Sequence, residues 1–122
     1  MMDECKFHFA LIADPQIGIR KGICKEPDWT EEVKTLKQCV EGSNAVNPEF
    51  TLFLGDLVHD TPDSKHRKGQ VEDFNACASL VTTEMKLMSG NHDIPEGKYR
   101  DGDETVKSAS SIHNRNLIMQ EF

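Results

Sequence analysis

Long apolar runs are missing from this chain of 122 residues: the longest near its start, Phe9 to Ala13, is far short of a membrane span and follows the acidic pair Asp3-Glu4, so no signal peptide is expected from it. The expected address is the cytoplasm. Cysteine pairs are missing too, because Cys5, Cys24, Cys39 and Cys77 form no C-x-x-C and are too widely spaced for a zinc finger or a compact disulfide framework. Reduced thiols are expected. Positive charge is in deficit, with 14 Lys and Arg against 21 Asp and Glu and a formal charge of −7, so nucleic acid and anionic membranes are repelled. There is no glycine-rich phosphate loop, internal repeat, linker or low-complexity tract. The length allows one domain, or part of one.

Three short apolar runs organise what is there. Phe7, Phe9, Leu11 and Ile12 read as a mostly buried strand ending at Asp14-Pro15. A loop with Gly18 and Gly22 follows. Asp28 before Trp29-Thr30-Glu31 then makes a capping-box-like start, and Trp29, Val33, Leu36 and Val40 recur at helical spacing until Gly42. Phe50 to Leu54 is a second strand of the all-buried kind found in parallel sheets, stopping at Gly55-Asp56. Thr61 to Gly69, with the basic cluster Lys65, His66, Arg67 and Lys68, reads as a mobile, solvated loop before a second helix through Val71, Phe74, Ala78 and Val81. Met85, Leu87 and Met88 form a third strand running into Gly90-Asn91-His92-Asp93. The series is β-α-β-α-β with right-handed crossovers, which brings all three strand ends to one edge. Pro95 to Gly102 reads as a polar loop. Residues 103–122 read as a helical tail, with Val106, Ile112, Leu117 and Ile118 at helical spacing from Glu104 onward.

Each strand end delivers polar donors to the carboxyl edge of an open α/β sheet, where ligands bind. Asp56, held by the Gly55 turn, can place one oxygen on each of two cations. Asp14 can complete one ion's shell with Gln16 as a weaker neutral donor, and Asn91 can serve the other ion. His92 is placed to protonate a leaving oxygen, with Asp93 to orient and charge it. Taken singly, Asp14-Pro15 is ordinary turn chemistry, Gly55-Asp56 a strand cap, and Asn91-His92 a tight turn. Their joint order after three strands favours a site. His59 and Asp60 read as a solvated loop, with Asp60 able to help orient the site, and His113 fits a surface helix. Two bound cations would also let so acidic a chain accept a phosphate substrate.

The segments Asp14-Pro15-Gln16, Gly55-Asp56-Leu57-Val58-His59-Asp60 and Ser89-Gly90-Asn91-His92-Asp93-Ile94 resemble those of the calcineurin-like metallophosphoesterases, particularly the group called calcineurin-like phosphoesterase domain-containing protein 1. The resemblance covers residues 7 to about 95. It implies that residues 1–122 form the amino-terminal half of a β-sandwich flanked by helices. It further implies that Asp14 and Asp56 hold one metal, Asp56 and Asn91 a second, and that His92 is the acid; the two divalent ions would be Mn, Fe, Zn or Mg. Most of the family has histidine where this chain has Gln16. The family's later histidines, one before a proline and two in a G-H-x-H segment, have no counterpart after Asp93.

The expected function is hydrolysis of phosphomonoesters, with phosphoserine or phosphothreonine proteins as the substrate class, carried by a truncated chain. The alternative is a catalytically impaired short form that binds metal weakly, or binds a partner or a second copy through an uncovered sheet face. A response-regulator-like or nucleotide-binding α/β domain fits the alternation of elements but not the lack of a phosphate loop.

Overall fold

The computed structural model describes residues 7–22, 27–94 and 119–122. Strand β1 (Ala10–Ile12), helix α1 (Thr30–Val46), strand β2 (Phe50–Leu54), helix α2 (Arg67–Ala78) and strand β3 (Glu84–Met88) follow one another, with a 3-10 turn at Ile19–Gly22. The three strands are parallel in the order β1-β2-β3, with Leu11 opposite Leu52 and Leu52 opposite Lys86. This is the expected α/β unit with a parallel sheet. The second sheet of a sandwich is not among the described residues.

Alternation along β2 decides which face each side chain covers. Thr51 and Phe53 are fully buried on the face carrying both helices. There the Phe53 ring meets Phe74 of α2 edge-on at 5.3 Å, and the Thr51 hydroxyl pairs with that of Ser43 of α1 at 2.8 Å. Ile12, Leu36, Val40, Leu57, Val58, Val71 and Cys77 are among the other buried members of this core. The opposite face is open, with Leu11 at 53% and Met88 at 51% exposure, and Phe7, Phe9 and Phe50 forming a ring cluster on it.

The N-cap of α1 is Trp29, with no side-chain capping bond; Asp28, one residue earlier, accepts hydrogen bonds from the Thr30 hydroxyl at 2.6 Å and the Thr30 amide at 2.9 Å, and these bonds hold its carboxyl below the usual range. The helix does not stop at Gly42. It runs one turn further to Val46, where Asn47 turns left-handed (φ 46°) and the Asn47 amide bonds the Asn44 carbonyl. Asn44 is the reason for the extra turn, because its side-chain amide donates to the Leu80 carbonyl at 2.7 Å and accepts from the Thr82 amide at 3.0 Å. The tie to the connection before β3 outweighs the weak helix propensity of glycine.

The basic stretch departs furthest from the expectation of a solvated loop. Arg67, Lys68 and Gly69 belong to α2, and Arg67 is 3% exposed. Extending the buried spacing of Val71, Phe74 and Ala78 back by one turn lands on residue 67. The expected polar loop 95–102 and residues 103–118 of the expected tail, including His113, lie outside the described residues. Met119–Phe122 form a turn in which Phe122 packs edge-on against Phe74 at 5.5 Å.

Candidate active site

All three strand ends emerge on one edge, and unusual backbone marks each residue expected there to hold a cation except Asn91. Asp14 (φ 46°), Gln16 (φ 40°) and Asp56 (φ 45°) all lie in the left-handed region. Such conformations cost about 1–3 kcal/mol each and persist only where surrounding contacts enforce them. The enforcing contacts are visible. The Gln16 amide donates to the Asp56 carbonyl at 2.8 Å, the Ile17 amide to Leu57 at 3.3 Å, and the His59 amide to Ile17 at 2.9 Å, so the loop after β1 is stitched to the loop after β2.

The loops after β2 and β3 approach still more closely, and two glycines permit it. A Cβ on Gly55, itself at φ +78°, would lie 2.7 Å from the Gly90 nitrogen. A Cβ on Gly90 would lie 2.1 Å from Asp56 Oδ1. Into that space the Asp56 carboxylate reaches to accept the His92 amide hydrogen at 2.9 Å. The bond joins the expected bridging carboxylate to the backbone of the expected acid.

The His92 ring is half-buried, and its Nδ1 lies 2.6 Å from the His59 carbonyl. A carbonyl only accepts, so Nδ1 carries the proton, and Nε2 is the nitrogen left for chemistry. The His59 ring stacks on His92 with centroids 4.9 Å apart, and its Nδ1 is 3.4 Å from Gln16 Nε2 of the side chain. His59 thus packs against His92 through its carbonyl and its ring, where its sequence context reads as a solvated loop.

Asp93 does not meet the expectation that it orients His92. Its carboxylate is fully buried and accepts from the backbone amides of Leu57 at 2.9 Å, Val58 at 3.3 Å and Gly90 at 2.8 Å. Burial pushes its carboxyl up, against the lowering effect of those amides and of the nearby Arg67. Asp93 is a clamp between loops, and the His59 carbonyl orients the imidazole. Asp60 lies behind the site, taking a hydroxyl hydrogen bond from Ser64, while its amide donates to Gln70 Oε1 at 2.9 Å.

Among the described residues, the Asp14 carboxylate and the Asn91 side chain have no hydrogen-bond partner, and Asp14 also lines a cavity of about 390 Å³ with Pro15, Arg20, Glu31 and Glu32. Oxygen donors of this kind suit hard divalent cations. Yet among the described residues no group of three His, Cys, Asp or Glu side chains is close enough to hold an ion, so these residues alone do not fit a complete metal centre.

Serine/threonine-protein phosphatase CPPED1 from Rattus norvegicus is 37% identical over 98 residues, covering 72% of this chain and 31% of the relative. The proteins of that name from Bos taurus and Homo sapiens match with the same identity and coverage. The chain therefore spans about a third of the length of these relatives. The family model for calcineurin-like phosphoesterase matches residues 7–119, nearly the whole sequence, and the chain belongs to the calcineurin-like phosphoesterase family.

Proposed function

We propose that this chain carries the amino-terminal part of a phosphoester-hydrolysing site, acting on phosphoserine or phosphothreonine in proteins. The Asp56 carboxylate seated on the His92 amide, in space that only glycine at 90 leaves open, carries this reading. In it, His92 Nε2, once protonated, delivers a proton to the leaving alkoxide oxygen, and the His59 carbonyl keeps the ring turned for that transfer. The relatives named as serine/threonine phosphatases support the substrate class. Calcineurin-like phosphoesterases generally use divalent metals, and Asp14, Gln16, Asp56 and Asn91 are the chain's own donors toward them, with further donors needed to complete a shell.

The test is phosphate release by the purified chain from p-nitrophenyl phosphate and from a phosphoserine peptide, with and without Mn²⁺. Release that depends on the cation and falls by about a hundredfold or more in Asp56→Asn and His92→Gln is the expected result. Absence of any cation-dependent release, or full activity in both variants, would overturn the reading.

The open sheet face favours a second reading, in which the chain associates with another copy of itself. Phe7, Phe9, Leu11, Leu54 and Met88 expose apolar area together on it. Sedimentation velocity decides: a dimer that Leu11→Ser dissociates supports it, and a monomer at all concentrations removes it.

A further inference from the structure

Arg67 is the most buried cation among the described residues, and none of the site's carboxylates accepts a hydrogen bond from it. Its guanidinium spends its donors on carbonyls instead. Nη1 donates to the Asp60 carbonyl at 2.9 Å and to the His92 carbonyl at 3.1 Å, and Nη2 to the Asp93 carbonyl at 3.1 Å. Nε donates to Glu121 Oε2 at 3.0 Å, and the Phe122 ring centre lies 5.5 Å from the guanidinium carbon. One rigid, planar fork is therefore bonded at the same time to the loop after β2 and the loop after β3, behind the two histidines.

We propose that Arg67 is a positioning residue of the candidate site. It fixes the Asp60 and His92 backbones relative to one another, which sets the His92 imidazole against the His59 carbonyl, and the docking of Glu121 and Phe122 holds the guanidinium in that pose. The geometric reason is narrow tolerance. The contact from His92 Nδ1 to the His59 carbonyl is 2.6 Å, and a relative shift of the loops by about 1 Å takes it beyond hydrogen-bond reach. Lysine cannot replace the fork, since an ammonium on a flexible stem has no planar array of donors. Glu121 supplies the counter-charge for Arg67, and the Glu121 carbonyl accepts from the Asn75 side chain at 2.8 Å, which anchors the segment to α2. The catalytic consequence rests on the phosphoesterase reading; the effect on the imidazole does not.

The test separates the two. Imidazole ¹⁵N spectra of the full chain, taken at about pH 8 where an ordinary histidine is neutral, report which nitrogen carries the proton. His92 in the unmodified chain is expected as the Nδ1–H tautomer. In Arg67→Lys, and to a lesser degree in Glu121→Gln and Phe122→Ala, the signals are expected to move toward a tautomer average while far-UV circular dichroism stays unchanged. If phosphate release is measurable, kcat falls about tenfold or more in Arg67→Lys with KM nearly constant, as misplacement of a reacting group predicts. A purely structural role would lower the melting temperature and leave the tautomer of the folded protein intact. An unchanged His92 signature in folded Arg67→Lys overturns the proposal, and should that variant not fold, an unchanged signature in both Glu121→Gln and Phe122→Ala does so. Loss of the signature in a chain that never releases phosphate upholds the positioning role and removes the phosphoesterase reading. A retained signature in an active chain does the reverse.

Discussion

The two faces of the sheet are built from residues of similar hydrophobicity and have opposite fates. On one face Ile12, Thr51 and Phe53 lie beneath both helices; on the other Leu11, Leu52 and Leu54, their immediate neighbours in sequence, have no helix over them among the described residues. The difference shows that an unbroken apolar run announces a strand without saying which side is covered. Coverage comes from the connections, and both helices of this β-α-β-α-β series pack on the same side.

Paired substitutions sharpen that contrast. Phe53→Ala removes a fully buried ring from between the helices and should cost about 3–5 kcal/mol, whereas Leu54→Ala, one residue along on the open face, should cost less than about 1 kcal/mol. Equal midpoint shifts for the two variants in urea would erase the distinction between the faces. At the rim, Asp93→Ala leaves the amides of Leu57, Val58 and Gly90 without their acceptor and should cost about 2–4 kcal/mol, with Asp93→Asn between it and the unmodified protein. A loss under about 0.5 kcal/mol in thermal denaturation would show that Asp93 does not clamp the loops. The smallest effect is kinetic. Cys77 is buried against the covered face and its thiol is pushed up by that burial, while Cys39 is exposed. With Cys5 and Cys24 replaced by serine, Cys39 should react with a maleimide at once and Cys77 only as the protein unfolds. Simultaneous labelling under native conditions would mean that the covered face opens readily.

Much of this arrangement is legible in the residues. Strand β2 has the bounds its apolar run predicts, and the alternation of elements yields the parallel order because short connections pair successive strands. What the sequence conceals is long-range. Asn44 extends α1 past Gly42 through contacts with Leu80 and Thr82, which no local pattern announces. Arg67 sits in a charged cluster that reads as solvated surface, yet it falls one turn before Val71 on the same helical face. The site shows the same division. The loops that carry the expected residues are hydrogen-bonded to one another, but the partners of Asp93 and of the His92 ring are backbone groups, and any sequence supplies amides and carbonyls. Only the folded chain shows which of them is within reach.

The seat that Gly90 gives the Asp56 carboxylate joins positions far apart in the order of synthesis. As the chain leaves a ribosome, Asp56 emerges well before the amide of His92 that it will bind, and Arg67 emerges long before Glu121 and Phe122. The site thus cannot exist in a nascent chain that has exposed only its first two strands. Its assembly is delayed until β3 has joined the sheet, and the final pose of Arg67 until the last described residues have docked.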